Sequence, residues 1–117
     1  MKNFLAIYLG TPDMMSDWNA LPEAERNQRI GQGMQAWHAW QAQHQAVIVD
    51  GGGPLGKTKS ASPAGIADVR NAMTGYVIVR AESHDAAARL FEGHPHFTIF
   101  PGTSVEIMEC LPIPANM

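Results

Sequence analysis

Cysteine is nearly absent from this chain, because Cys110 is the only one among 117 residues. A single cysteine cannot form a disulfide within the chain. Proteins that contain no disulfide are typical of reducing compartments. The cysteine count therefore predicts a cytoplasmic protein.

Charge is also scarce. Charged residues make up 16 % of the chain, and the formal net charge is −3 at pH 7. No run of Lys or Arg forms a local basic patch that would attract phosphate backbones or anionic lipid. We therefore expect neither a nucleic acid nor a membrane surface as a partner.

Long apolar runs are missing as well. The apolar run Phe4–Leu9 lies near the N-terminus, behind Lys2. It is shorter than the apolar core of a signal peptide, and no small-residue cleavage site follows it. No segment approaches the roughly 20 apolar residues that a membrane-spanning helix needs. These patterns also favour a protein of the cytoplasm.

Hydrophobic residues make up 45 % of the chain, which is enough to form the core of one domain over residues 1–117. The patterns predict four strands and two helices. The strands are Phe4–Leu9, Ala46–Val49, Tyr76–Ala81 and Ser104–Cys110, and the helices run from Pro22 to about His44 and from Ser83 to Gly93.

Three segments carry signals of a different kind. Gly31 and Gly33 weaken the first helix, so we expect it to bend or to form two pieces. Gly93 is placed as a left-handed helix cap, and Pro95 prevents the helix from continuing. The segment 51–75 is rich in Gly, Pro, Ser and Lys at first and is typical of a long loop or a wide hairpin connection. A short helical turn is expected within it, at 66–73.

The order strand, helix, strand, strand, helix, strand is that of the split βαβ unit. It predicts an α+β fold of the ferredoxin-like βαββαβ kind, with a four-stranded antiparallel sheet and both helices on one face. The other sheet face is then uncovered, and an exposed apolar face needs a partner. Two-fold symmetry is the commonest arrangement of such partners, so we expect a homodimer.

Three segments resemble a known family: GGGPLGKTKS at 51–60, GYVIVRAES at 75–83 and GHPHFTIFPGTSVEIMECLPIP at 93–114. They are similar to YCII-related proteins of the dimeric α/β-barrel superfamily, from about Trp37 to the C-terminus. The block PHFTIFPGTSVEI and its distance from GYVIV are the most specific part. The first strand is compatible with the resemblance.

The resemblance implies a ferredoxin-like domain that dimerises sheet to sheet into a barrel. Relatives across the superfamily include small isomerases, lyases and monooxygenases that need no cofactor and act on hydrophobic, often aromatic, molecules. Some members carry a His on the first long helix and an Asp after the second. The matching positions here are Trp37 and His94, so the mechanism of that pair does not carry over.

The segment Gly51–Thr58 satisfies the phosphate-loop pattern GxxxxGK[ST] and follows a strand. The chemistry of that pattern requires a helix to begin at the Lys, so that the helix N-terminus faces the phosphate. Ser60, Ser62, Pro63 and Gly65 prevent a long helix here. We interpret the segment as a flexible hairpin loop whose lysines are in solvent, and not as a nucleotide site.

The pair His94 and His96 is the strongest candidate for catalytic chemistry. Two imidazoles could bind a metal together with His38, His44 or Glu106, but no third ligand stands at a recognisable spacing. One imidazole could serve as a general base, since its ordinary pKa is near neutrality. A histidine held by backbone carbonyls is the structural alternative. We expect neither a metal nor a cofactor.

Aromatic and polar side chains suggest a pocket between the first helix and the sheet. Candidate ligand-binding residues are Tyr8, Trp37, His38, Trp40 and Arg80. The tryptophans could equally be helix residues that pack on the sheet. A buried Arg80, in an apolar strand, needs a carboxylate from the protein or from a ligand. Glu82 and Glu106 are the candidates in the protein, and a structural salt bridge is the default interpretation.

Three hypotheses of function follow. The chain is a cofactor-independent lyase or isomerase acting on a small hydrophobic or aromatic molecule, with His94 and His96 as its catalytic residues. Alternatively, it binds such a molecule in the same cavity without catalysis. The third hypothesis is a structural or regulatory homodimer. Histidines near aromatic residues favour the first two, and the missing His–Asp pair favours the last two.

Overall fold

The computed structural model describes residues 1–114, and these form a sheet covered on one face by helices, with a separate hairpin. The strands are β1 (Lys2–Leu9), β2 (Ile48–Pro54), β3 (Thr58–Ser62), β4 (Gly65–Val69), β5 (Met73–Ala81) and β6 (Ser104–Glu109). The helices are α1 (Pro12–Ala20), α2 (Glu23–Gln43), α3 (His84–Arg89) and α4 (Pro95–Thr98), and a 3₁₀ turn covers Gln45–Val47.

The main sheet has four strands in the order β2-β5-β1-β6, and every neighbouring pair is antiparallel. The apolar strand β1 lies inside the sheet, where Leu5 is paired with Ile78 on one side and Met108 on the other. This arrangement confirms the predicted four-stranded antiparallel sheet of the ferredoxin-like α+β fold.

The core lies on one face of this sheet. Alternation along β1 places Phe4, Ala6 and Tyr8 on that face. The buried cluster joins strand and helix side chains, namely Phe4, Ala6, Tyr8, Val77, Val79 and Ala81 with Trp40, Ala87 and Phe91. Because residues of α2 and α3 pack on the same strand residues, both helices cover one face, as predicted.

Helix α1 was not predicted, although its N-terminus carries ordinary start signals. Thr11 is the N-cap, and its hydroxyl accepts a hydrogen bond from the backbone N–H of Met14 at 3.3 Å. Pro12 occupies the first turn, and Asp13 is acidic there. The first connection of the βαββαβ order therefore contains two helices.

Helix α2 runs unbroken for 21 residues, so of the two predicted alternatives the helix in two pieces was wrong, and the bend stays a prediction. Its glycines differ in their surroundings. A Cβ at Gly33 would lie 2.4 Å from the Phe100 ring, whereas a Cβ at Gly31 would meet nothing within 4 Å. Gly33 thus permits the close approach of an aromatic side chain, and the helix tolerates the cost in propensity.

Strand β2 begins and ends later than predicted and includes the three glycines. Its pairing with β5 shifts register between Asp50 and Gly53, which marks a bulge. Gly52, inside this bulge, has φ +62°. The glycines therefore belong to the strand instead of ending it.

Strands β3 and β4 form a two-stranded antiparallel hairpin that pairs Thr58 with Val69 and Ser62 with Gly65. The helical turn predicted at 66–73 was wrong, while the wide hairpin connection was correct. Most residues of this hairpin are exposed. It therefore adds little to the core.

The segment after β5 forms two short helices. Ser83 caps α3, and its hydroxyl accepts from the backbone N–H of Ala86. Gly93 has φ +68°, as a left-handed cap requires. Pro95 does not simply end a helix, because it begins α4. None of the helices in residues 1–114 is long and apolar enough to cross a membrane.

Candidate functional site

A cavity of about 500 Å³ lies between helices α1 and α2 and one end of the sheet. Its walls come from six parts of the chain. They include Tyr8, Gly10, Met15, Trp18, Ile30, Met34, Trp37, His38, Gln41, the segment 51–54, Thr74, Gly75, Tyr76, His96 and the segment 100–102. No Lys, Arg, Asp or Glu stands among these lining residues. The cavity is therefore mostly apolar, with a few polar groups.

Aromatic rings line the inner wall. The ring centroids of Tyr8 and Trp37 are 4.8 Å apart, and those of Trp37 and Phe100 are 5.9 Å apart. Trp18 of α1 lies 5.9 Å from Phe100. Phe100 reaches this position because Gly33 has no side chain. These rings give the cavity an aromatic wall, and a further flat ring can pack against that wall at the centroid separations of 4.5–7 Å that aromatic pairs prefer.

His94 lies behind this wall and is fully buried, with 0 % of its surface exposed. Its ring centroid is 4.5 Å from that of Trp37 and 4.7 Å from that of Trp40. Nδ1 accepts a hydrogen bond from the backbone N–H of His96 at 3.0 Å, and Nε2 lies 3.3 Å from the Tyr8 hydroxyl. Both ring nitrogens are therefore occupied by protein groups.

The pKa of His94 is lowered to about 3, mainly by burial and further by the nearby His96 and His44. Burial opposes the charged imidazolium because the interior solvates charge poorly. Burial also raises the pKa of the Tyr8 hydroxyl above its usual value. Both groups of this pair are thus uncharged at neutral pH.

His96 lies at the cavity wall and is 5 % exposed. Its Nε2 is 2.7 Å from the carbonyl oxygen of Leu9, and since a carbonyl only accepts, the nitrogen donates. Gly102 lies against the ring, where a Cβ would come within 2.2 Å of Nε2. Burial lowers the pKa of His96, while backbone hydrogen bonds to Leu9 and Ser104 oppose that shift.

The structure brings some of the predicted site residues together and separates others. Tyr8, Trp37, His38 and His96 line the cavity. Trp40 is buried behind it, where its indole N–H donates to the carbonyl of Leu90 at 2.8 Å. His94 lies behind the wall as described. The proposed roles of these residues remain predictions.

Arg80 lies elsewhere, on strand β5, where it is exposed. Its guanidinium donates to the carbonyl oxygen of Ala46 at 2.8 Å. Among residues 1–114 Arg80 forms no salt bridge with Glu82 or Glu106, so the expected structural salt bridge was wrong, while its role in ligand binding stays a prediction. Alternation along β5 explains the difference, because Arg80 points away from the face that carries Val77 and Val79.

Several cavity residues were missed by the sequence analysis. Met15 and Trp18 lie on the unpredicted helix α1, and Phe100 lies in the connection after α4. The capping sequence Thr11-Pro12-Asp13 was the available signal for the first two. No local signal marks Phe100, because its position depends on packing against Gly33, far away in the chain.

The described residues do not have the geometry of a phosphate loop or of a metal site. Strand β3 begins at Thr58, so no helix N-terminus follows Lys57 as a phosphate loop requires. Among residues 1–114, no three His, Cys, Asp or Glu side chains are gathered as a metal site would need.

Comparison with known proteins supports the fold. No protein-family model matches the chain, and no curated protein is similar to it in sequence. Among solved structures, 5-chloro-2-hydroxyhydroquinone dehydrochlorinase (TftG) from Burkholderia phenoliruptrix AC1100, in complex with 2,5-dihydroxybenzoquinone, is similar with a TM-score of 0.54. The match covers 91 % of this chain and 90 % of that chain, at 20 % sequence identity. The similarity shows that both chains share the architecture of the α+β sheet and its helices.

Proposed function

We propose that residues 1–117 form one YCII-related domain that binds a small, uncharged aromatic molecule in the cavity between α2 and the sheet. The observation that carries this proposal is the cavity itself, with about 500 Å³ and walls that carry aromatic rings and no Lys, Arg, Asp or Glu. Pockets for small organic molecules usually have a volume of about 300–1,000 Å³ and are mostly apolar. The ligand complex of the structurally similar dehydrochlorinase adds support.

Chemistry after binding would be that of a cofactor-independent lyase or isomerase, in the cytoplasm. Tyr8 and His96 are the titratable groups whose pKa values are shifted and that line the cavity. Such groups are candidates for proton transfer. The alternative is a binding protein without catalysis, which the backbone hydrogen bonds of His94 and His96 favour. Turnover of a bound ligand would distinguish the two.

Binding is tested by titrating the protein with benzamide and with benzoate, which have nearly the same shape. Trp18 and Trp37 line the cavity and report on it by fluorescence. We expect saturable quenching with benzamide. We expect none with benzoate in the same concentration range, because an ionised carboxylate without a cationic partner is costly to transfer into an apolar cavity.

Two glycine variants of α2 locate the site. Gly33→Ala pushes Phe100 towards the cavity and should weaken benzamide binding by at least about fivefold, a loss of about 1 kcal/mol. Gly31→Ala, two residues away with nothing within 4 Å, is the matched control and should bind like the wild type. Equal affinities in both variants, or no benzamide binding to the wild type, would refute the proposed site.

We also propose that two copies of the chain form a homodimer through the sheet face opposite the helices. Leu5, Ile78 and Met108 lie side by side across strands β5, β1 and β6 on that face. Ile7 and Leu9 continue the apolar row along β1 and are half-buried. Glu106, paired with Ile7, and Arg80, paired with Asn3, lie on the same face beside this row. An apolar patch with polar residues around it is typical of an interface.

Sedimentation at micromolar concentration should give about twice the chain mass of 12.7 kDa. Leu5→Arg introduces an unpaired charge into the centre of this face and should give a monomer. Gln32→Arg, on the exposed side of α2, is the matched control and should leave the mass unchanged. A monomeric wild type would show that this face has no such role.

A further inference from the structure

The hydrogen bonds around His94 determine where its proton lies. Nδ1 faces the backbone N–H of His96 at 3.0 Å, and that N–H can only donate. Nδ1 must therefore accept with its lone pair. A neutral imidazole carries one hydrogen, so this hydrogen is on Nε2. The lowered pKa of His94 is consistent with the neutral form at physiological pH.

This tautomer determines the direction of the next hydrogen bond. The Nε2 of His94 lies 3.3 Å from the hydroxyl oxygen of Tyr8. Since Nε2 carries the hydrogen, it donates and the Tyr8 oxygen accepts. The phenolic hydrogen of Tyr8 is then not used by His94 and needs a different acceptor.

The protein does not supply that acceptor within the part of the chain that the structure describes. His94 is the only hydrogen-bond partner of the Tyr8 hydroxyl among residues 1–114. The ring of Tyr8 packs against the rings of Trp37 and His96, with centroid separations of 4.8 Å and 5.1 Å. Tyr8 is 2 % exposed, and the cavity is the open space that its side chain borders. We infer that the O–H is directed towards whatever occupies that cavity.

We propose that Tyr8 donates its phenolic hydrogen to an oxygen atom of the bound aromatic molecule, and that His94 is a positioning residue that sets this direction. The ligand class is therefore an uncharged aromatic molecule with an acceptor oxygen on or next to its ring, such as an aromatic ketone or an aromatic amide. This inference rests on the proposed function. It names the contact residue and the recognised group.

The role of His94 then differs from that of a general base. A general base must reach the proton that it abstracts. His94 is fully buried behind Tyr8, and both its nitrogens are engaged. It acts on the ligand only through Tyr8, whose O–H is the group available for contact.

The tautomer can be measured without any ligand. A long-range ¹H–¹⁵N spectrum of the wild-type protein distinguishes the two neutral forms of each histidine. We expect His94 to carry its hydrogen on Nε2. A hydrogen on Nδ1 would overturn the inference whether or not the cavity binds ligands.

The contact is tested with two ligands of nearly equal shape, acetophenone and α-methylstyrene, in which a C=CH₂ group replaces the carbonyl. We expect acetophenone to lose about fivefold in affinity relative to α-methylstyrene when Tyr8 is changed to Phe. The infrared carbonyl stretch of bound acetophenone should lie at lower frequency in the wild type than in Tyr8→Phe. His94→Gln, whose amide can still donate to Tyr8, should retain the low frequency.

The outcomes separate this inference from the proposed function. If both ligands bind but Tyr8→Phe changes neither the affinity ratio nor the carbonyl frequency, the cavity is a binding site and the Tyr8 contact is refuted. If neither ligand binds the wild type, the proposed function fails and the contact fails with it.

Discussion

Acid should destabilise this protein steeply, with the free energy of unfolding falling as the pH drops from 6.5 towards 4. His94 and His96 both have pKa values lowered by burial in the folded state. Between the folded and unfolded pKa values the unfolded chain binds more protons, so the free energy of unfolding decreases with decreasing pH. For His94 this window runs from 6.5 down to about 3.

The expected loss in the free energy of unfolding is large for so small a protein. Each buried imidazole contributes a slope of about 1.4 kcal/mol per pH unit inside its window. His94 alone would account for a loss on the order of 5 kcal/mol across its full window, where the total stability of a domain is about 5–15 kcal/mol. Urea unfolding followed by fluorescence at several pH values measures the slope.

Two variants identify the source of this pH dependence. His94→Gln removes the buried imidazole, so the slope of the free energy of unfolding against pH should fall by the contribution of about one proton. The variant also lowers the stability at pH 7. Val79→Ala also lowers stability but removes no titratable group, so it is the control and should keep the wild-type slope. A wild-type profile that is flat from pH 7 to 4 would contradict the burial of both imidazoles.

Gly52→Ala is expected to destabilise the fold by about 3–5 kcal/mol, because it combines two costs. Gly52 has φ +62°, a conformation that L side chains rarely adopt. A Cβ there would also lie 1.8 Å from the carbonyl oxygen of Tyr76. That oxygen belongs to β5, which is paired on both sides and cannot easily move.

The neighbouring residue provides a control on the same strand. Gly53 has no atom within 4 Å of its ideal Cβ, and its φ is not positive. Gly53→Ala should therefore change the free energy of unfolding by less than about 1 kcal/mol. Chemical denaturation of both variants measures the difference, and similar losses would show that the β2 bulge is not formed as described.

The strands and their order could be predicted because each carries a local apolar pattern. Phe4–Leu9 and Tyr76–Ala81 are the clearest runs, and they form the two inner strands. The hairpin β3–β4 could not be predicted as strands, since Thr58–Ser62 and Gly65–Val69 are mostly exposed and show no clean apolar alternation. Helix α1 has nine residues, none of them buried, and its clearest signal was the capping sequence Thr11-Pro12-Asp13, which the sequence analysis did not use.

The sequence could predict which types of side chain form the candidate site, but not where each one lies. Aromatic side chains and imidazoles indicated a pocket, and Tyr8, Trp37, His38 and His96 do line one. Whether a side chain lies in front of or behind a wall depends on packing between distant segments. His94 and His96 are two residues apart, yet only His96 reaches the cavity. No local sequence pattern predicts the contact between Gly33 and Phe100 either.

The proposal that the cavity binds an aromatic molecule is tested most directly by a crystal structure of the protein soaked with benzamide at saturating concentration. We expect electron density for the ligand ring inside the cavity, packed against the wall formed by Tyr8, Trp37 and Phe100, with its carbonyl oxygen towards the Tyr8 hydroxyl. A cavity without ligand density, or a ligand bound only at the hairpin β3–β4 or on the outer sheet face, would contradict the proposal.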